Sequence, residues 1–234
     1  MRKKKLADRA SAKGDCKAMV TIGNFMIFGD SYSTYKDRIP EGYPTFYTPD
    51  EVPPDQKVRN MTAEETWWGR LLQETDARLV RNDSWSGSTL GYTGYAGDCS
   101  LTSSFIRRYR LLKQEGFFER NPVDTVFVFG GTNDSWSNAP VGEVPVGDIG
   151  EEELFFVLPA FAHFMKTLKE DLPRARIVFL SNCDIKKEIM EGIARAGEKT
   201  GTEVLQLEAI DKESGHPTSL GMEQICKQLL VFLA

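Results

Sequence analysis

With 234 residues, 41% of them hydrophobic and 27% charged, the chain has the length and composition of one large soluble globular domain with a sizeable core. Its 29 basic residues against 34 acidic ones leave a net charge of -5. That excludes the electrostatic footprint of a nucleic-acid or anionic-membrane binder, and no run approaches the length of a membrane span. The cysteines Cys16, Cys99, Cys183 and Cys226 are far apart and form no Cys-x-x-Cys pair, so neither a zinc site nor a redox motif is expected. Buried thiols are the simplest reading, although an even count also permits two disulfides.

Residues 1–23 mix Lys, Ala, Asp and Gly without period and read as a loosely docked arm ahead of a single domain at 24–234. Met1-Arg2-Lys3-Lys4-Lys5 is like the start of a signal peptide, but residues 6–17 hold no apolar run to follow it. As it stands the chain reads as cytoplasmic; a mature secreted form with extra residues at its front would read the same. Phe25-Met26-Ile27-Phe28 then forms a continuous apolar run, the mark of a strand buried on both faces, and Gly29-Asp30-Ser31 predicts the sharp turn that ends it. Residues 32–61 carry Pro40, Pro44, Pro49, Pro53 and Pro54, which forbid a long helix or a central strand. A long irregular insertion starting beside Ser31 predicts a wall of a pocket.

Thr62 as N-cap with Glu65 three residues on opens a predicted helix over 62–75, with Trp67, Trp68, Leu71 and Leu72 as its core stripe. A short strand at 78–81 leads into a Gly-rich aromatic loop through Gly87, Gly91, Tyr92, Gly94, Tyr95 and Gly97, whose spacing is not that of a dinucleotide fingerprint. A helix over 101–114 carries Arg107, Arg108 and Arg110, most simply a solvated basic face. The clearest strand, 123–129, is closed by Gly130-Gly131-Thr132-Asn133-Asp134. A long helix over 151–172, with Pro159 inside it as a kink, a strand at 176–181, a helix at 185–199, a strand at 203–207 and a helix at 220–233 complete the chain. Strands alternating with helices predict about five parallel strands in a three-layer α/β/α sandwich.

Such a sheet would open the loops at Ser31, Gly87, Asn133 and His216 on one edge. Serine at its ordinary pKa is a weak nucleophile and needs a base, and the base needs an acid to fix its tautomer. Only two histidines exist, and His163 lies within the long helix, so His216 is the candidate base. Backbone amides at a glycine turn and an asparagine amide can stabilise an oxyanion, roles open to Gly87 and Asn133. Each motif alone also has a plain structural reading: Gly-Asp-Ser as a turn, Asn133-Asp134 as an Asx turn, His216-Pro217 as a loop.

Taken together, Gly29-Asp30-Ser31, Gly87, Gly131-Thr132-Asn133-Asp134 and His216-Pro217 resemble the four blocks of the SGNH (GDSL) hydrolases in their family order over residues 24–221. The resemblance implies a flavodoxin-like fold and ester hydrolysis through an acyl-enzyme without metal or organic cofactor. It implies Ser31 as nucleophile, His216 as base, and the Ser31 and Gly87 amides with the Asn133 side chain as oxyanion hole. The family's acid stands three residues before the histidine, where this chain has Glu213; Asp211 sits five before it, in an Asp-Lys-x-x-Gly-His-Pro pattern similar to that of some relatives and therefore favoured. A dyad without a carboxylate is a third option. Tyr32, Trp85, Tyr92 and Trp136 are candidate substrate-facing aromatics at the mouth, and the absence of an apolar lid segment favours a small acyl group, such as acetyl on a carbohydrate. The alternatives are a thioesterase, lysophospholipase or acyltransferase on the same fold, a carbohydrate-binding module without turnover, and a flavodoxin-like nucleotide binder, disfavoured for want of a phosphate loop.

Overall fold

The computed structural model describes residues 21–234. The arm expected at 1–23, with Cys16, therefore falls outside the described residues except at its end, where Ile22 is buried and its carbonyl accepts from Thr125 Oγ1 at 2.8 Å. In chain order the elements are strand β1 (Asn24–Gly29), helix α1 (Trp67–Glu74), strand β2 (Arg78–Ser84), a small hairpin β3 (Thr93–Gly94) and β4 (Gly97–Asp98), helix α2 (Phe105–Gln114), the short helix α3 (Phe117–Arg120), and strand β5 (Thr125–Gly130). There follow the short helix α4 (Thr132–Trp136), helix α5 (Val157–Asp171), strand β6 (Arg176–Ser181), helix α6 (Lys187–Thr200), strand β7 (Glu203–Gln206), a second hairpin β8 (Lys212–Glu213) and β9 (His216–Pro217), and helix α7 (Ser219–Leu233).

The main sheet is parallel, in the order β2-β1-β5-β6-β7. Its apolar strands are read by both faces. Met26 and Phe28 join Val126, Val128 and Phe179 beneath α2, α5 and α6, while Phe25 and Ile27 join Phe127, Phe129, Val178 and Leu180 beneath α1 and α7. The alternation has period two, as a pleated strand requires, and because helices cover both sides the inner positions of β1, β5 and β6 are apolar on both faces. The predicted three-layer α/β/α sandwich is borne out.

Several local expectations are corrected. The predicted helix at 151–172 is a 3₁₀ turn (Glu151–Phe155), a break at Phe156, and then α5. Pro159 sits in the first turn of α5, where no intrahelical acceptor awaits its missing N–H, so it starts the helix and does not kink it. The predicted helix at 62–75 is likewise a 3₁₀ turn (Ala63–Glu65) followed by α1, with Glu65 Oε2 accepting from the Thr62 N–H at 2.7 Å. Asn133-Asp134, with an Asx turn as its plain structural reading, lies in α4. Among the described residues Cys99 and Cys226 are buried free thiols and Cys183 is a half-buried one.

Since β1 and β5 are neighbours and the chain leaves β1 for β2 on one side before returning to β5 on the other, the sheet's switch point lies between them. Parallel sheets place ligands at the carboxyl ends of the strands at such a point. The loops bearing Ser31 and Asn133 leave β1 and β5 there.

Candidate active site

Ser31 stands in the turn after β1. Ser33 N–H donates to the Asp30 carbonyl at 3.0 Å, and Tyr32 N–H donates to Asp30 Oδ1 at 3.0 Å. Beneath it the Ser33 carbonyl accepts from Trp68 Nε1 at 3.0 Å and Asn82 Nδ2 at 2.8 Å, and Ser33 Oγ accepts from Trp67 Nε1 at 3.1 Å. The α1 tryptophans are thus core residues that brace the turn. Ser31 itself is only 3% exposed.

His216 approaches from the opposite side on the β8–β9 hairpin, with its Nε2 at 2.9 Å from Ser31 Oγ. Its Nδ1 lies 3.2 Å from the Ser214 carbonyl. A carbonyl only accepts, so Nδ1 carries the proton and the Nε2 lone pair faces the serine hydroxyl. The connecting residues Ser214 and Gly215 have φ of 49° and 78°. Two-residue hairpin turns with positive φ at both positions match strand twist, and glycine adopts that region at no steric cost. Here the turn folds the Ser214 carbonyl back under the imidazole.

The hairpin is held on several sides. Tyr32 Oη donates to the Gly215 carbonyl, and Tyr47 Oη donates to the Pro217 carbonyl at 2.8 Å. Phe46 stacks face-on to the imidazole, with centroids 3.6 Å apart and planes 7° from parallel. Trp136 meets it edge-on at 5.8 Å. The proline-rich insertion therefore does form a wall, and its Phe46 and Tyr47, which the sequence does not single out, position the histidine. Burial is the main influence on His216 and lowers its pKa below the ordinary histidine value; Lys212 and Arg59 act in the same sense, and the Ser214 carbonyl opposes them.

Neither carboxylate expected beside His216 bonds to it. Asp211 Oδ2 accepts from Thr218 Oγ1 and its backbone N–H donates to Gln224 Oε1 at 2.6 Å, so it fastens the start of α7. Glu213 is exposed on β8, paired across the hairpin with His216 in register but pointing into solvent. The acceptor for Nδ1 is main chain.

The groups expected as oxyanion donors come from the segments that follow β1, β2 and β5. Gly87 has φ of 85°, a conformation that favours glycine, and among the described residues neither its N–H nor that of Ser31 finds an acceptor. Asn133, in α4, donates from Nδ2 to the Ser88 carbonyl at 2.9 Å and is 3% exposed. Arg108 ties these loops together. Its guanidinium pairs with Asp83 Oδ1 at 2.6 Å and donates to the Gly29 carbonyl at 3.1 Å and Ser88 Oγ at 3.2 Å, with both charged side chains fully buried. The expected solvated basic face is corrected at Arg108, because Asp83 and the main-chain oxygens at the strand ends compensate its charge inside the fold.

Of the aromatics expected at the mouth, Trp136 is 41% exposed beside His216, and half-buried Trp85 packs on Tyr43 with centroids 4.4 Å apart. Tyr32 and Tyr92 are buried and not open at the mouth. Tyr32 is buried under the hairpin, and Tyr92 is buried with Oη donating to Glu151 Oε2 at 3.0 Å. Among the described residues no group of His, Cys, Asp and Glu could hold a metal ion, and no helix is long and apolar enough to cross a membrane.

The profile of the GDSL-like lipase/acylhydrolase family matches residues 23–233. The chain is 32% identical to a GDSL-like lipase from Bacteroides ovatus, with a TM-score of 0.81 over 91% of this chain and 98% of that one. It is 35% identical to a second GDSL-like lipase, from Bacteroides uniformis, with a TM-score of 0.79 over 90% and 94%. An acetyl xylan esterase from the rumen bacterium Butyrivibrio proteoclasticus shares the fold at 19% identity, with a TM-score of 0.57 over 90% of this chain and 63% of that one. Among curated proteins none matches the sequence.

Proposed function

Since the chain belongs to the GDSL-like lipase/acylhydrolase family, and is a hydrolase of that type, we propose that it cleaves small-acyl esters by a serine mechanism run by a Ser31–His216 pair. The observation that carries this reading is the 2.9 Å approach of His216 Nε2 to Ser31 Oγ, with Nδ1 turned to a carbonyl. Ser31 Oγ attacks the ester carbonyl as its proton passes to Nε2. The oxyanion that forms meets the Ser31 and Gly87 amides and the Asn133 Nδ2, donors carried by residues already in place, Ser31 and Asn133 among the buried ones. The imidazolium returns its proton to the leaving alkoxide, and the Ser214 carbonyl stabilises the charged ring throughout. Water then gives a proton to His216 and attacks the acyl carbonyl, and the bond to Ser31 Oγ breaks as the imidazolium returns that proton to Oγ, releasing the acid.

The confined position of Ser31 supports a small acyl group, and the half-exposed indoles of Trp85 and Trp136 supply apolar faces suited to a sugar ring in the alcohol part. An O-acetylated carbohydrate is the substrate class that combines the two. The test is hydrolysis of p-nitrophenyl acetate against p-nitrophenyl octanoate by the parent and by Ser31→Ala, followed by acetylated sugars. Acetate preference lost in Ser31→Ala supports the reading. Octanoate preference removes the small-acyl part, and turnover of neither ester by the parent, with no labelling of Ser31 by a fluorophosphonate, favours a carbohydrate-binding module.

A further inference from the structure

The β3–β4 hairpin carries Tyr95 at its turn, next to the oxyanion loop. Its base is fixed to the segment before α5: Tyr92 N–H donates to the Leu154 carbonyl at 2.8 Å and Thr93 Oγ1 to the Phe155 carbonyl at 2.8 Å. From that turn Tyr95, 58% exposed, reaches inward so that its Oη lies 3.0 Å from Oδ1 of the buried Asn133.

The orientation of the Asn133 amide follows from its partners. On one side stands the Ser88 carbonyl, 2.9 Å away, which only accepts and so must face the NH₂ group. The amide oxygen is then the end that faces Tyr95, and the phenol is the donor. Burial, with the carboxylates of Asp30 and Asp134 nearby, raises the phenol's pKa, which keeps it in the donating form. With one N–H spent on Ser88 and the oxygen held by Tyr95, the second Nδ2–H is the single donor of this amide left for a substrate.

We infer that Tyr95 is a positioning residue of the oxyanion hole, whose hydroxyl locks the Asn133 amide with its free N–H turned to the reacting carbonyl. Tyr95 touches the amide, and through it the transition state. A donor held in place before the reaction spends no free energy on reorganising as charge develops, so the loss of the hydroxyl falls on kcat and leaves KM alone.

This role rests on the serine-esterase reading, and the experiment has one arm independent of turnover. The Asn133 side-chain NH₂ resonances are assigned by their loss in Asn133→Ala, or in Asn133→Ser should the alanine variant not fold. In Tyr95→Phe these protons exchange with water about tenfold faster than in the parent, the effect of removing one neutral hydrogen bond. Unchanged exchange overturns the inference, whether or not any ester is turned over. In the kinetic arm, Tyr95→Phe lowers kcat on p-nitrophenyl acetate about tenfold with KM within about twofold. In the Asn133→Ala background the same change alters kcat by less than about twofold. An equal loss in both backgrounds, or a raised KM at constant kcat, assigns Tyr95 to direct substrate contact or general packing and overturns the inference. A parent inactive on esters sinks the proposed function alone, and the exchange measurement still decides Tyr95.

Discussion

His216 Nδ1 faces the carbonyl of Ser214, two residues back in its own hairpin, at 3.2 Å. The acceptor that fixes the tautomer is therefore supplied by the turn. A carboxylate in that place both orients the ring and stabilises imidazolium with a full charge; a carbonyl dipole orients it equally well and stabilises the charge less. Removing the charge of Asp211 or Glu213 should then leave the pair intact. Asp211→Asn and Glu213→Gln are expected to keep kcat/KM within about threefold of the parent, against a loss of about 10⁴-fold where a triad aspartate is replaced. A steady-state comparison of both variants decides it, and a loss of that larger size in either would return the acid role to the carboxylate concerned.

Phe46 lies face-on to the same imidazole at 3.6 Å, and the Arg59 guanidinium carbon lies 5.5 Å from the centre of the Phe46 ring. The phenyl ring restricts rotation of the histidine and keeps water from its face. Phe46→Ala should lower kcat about 10-fold to 100-fold, since misplacement of a reacting group by about 1 Å costs on that order, and should leave the melting temperature close to the parent's because Phe46 is only half-buried. Circular dichroism beside kinetics separates the two effects. A variant that loses several degrees and keeps its kcat would make Phe46 a packing residue.

In the proposed mechanism His216 acts as base in its neutral form, and burial holds its pKa below the ordinary histidine range. Activity should rise as the imidazolium loses its proton, so the acid limb of kcat/KM is expected below about 6.5, the free histidine value. The pH profile on a neutral ester such as p-nitrophenyl acetate reads this limb directly. A limb above that value would mean that a nearby carboxylate stabilises the imidazolium.

The strands and their order around the site are legible because a doubly covered parallel sheet writes itself as apolar runs, and the glycine turns after β1 and β5 mark where those runs stop. The parts that escape a sequence reading act across space. Arg108 shares a helix with Arg107 and Arg110 and reads as surface, yet its partners Asp83, Gly29 and Ser88 come from three separate segments. Tyr32 and Tyr92 look like mouth aromatics because phenols suit binding sites, but each spends its hydroxyl inside the protein. The β8–β9 hairpin is two residues per strand, too short for any periodicity, although Ser214-Gly215 ahead of His216 is a turn signal that could have revealed the fold-back.

Arg108 and Asp83 form a fully buried ion pair at 2.6 Å that also satisfies main-chain oxygens at the site. Removing Arg108 leaves the buried Asp83 carboxylate with Arg81 Nε, at 2.8 Å, as its remaining cationic partner and strips the Gly29 carbonyl of a donor, a loss of up to about 3–5 kcal/mol. Arg108→Met should therefore destabilise severely, whereas Arg107→Met on the same helix should change stability by less than about 0.5 kcal/mol. Urea denaturation of the two variants makes the comparison. Equal, small losses would show that the pair's desolvation offsets its attraction.

Asp30 is fully buried directly before Ser31, with Oδ2 unpartnered among the described residues. Burial is the largest cause that pushes its carboxyl up to about 7 from 3.8; Asp134 adds to it, while the Tyr32 N–H and Arg108 oppose it. The folded state thus holds a proton that the unfolded state has released. Between about pH 4 and 7 the native form binds more protons, so the stability contributed by protonated Asp30 is complete below pH 4, falls as pH rises, and is gone above pH 7. With each pH unit of a one-proton difference worth about 1.4 kcal/mol, the decline is on the order of 4 kcal/mol across the window. Asp134, pushed up to about 6 mainly by burial, adds in the same direction. Asp30→Asn keeps an oxygen for the Tyr32 N–H and cannot ionise, so its stability should fall less than the parent's between pH 5 and pH 8. Chemical denaturation at those two values measures the difference. Parallel losses in parent and variant would mean that Asp30 is ionised in the native protein throughout, its charge compensated by Arg108.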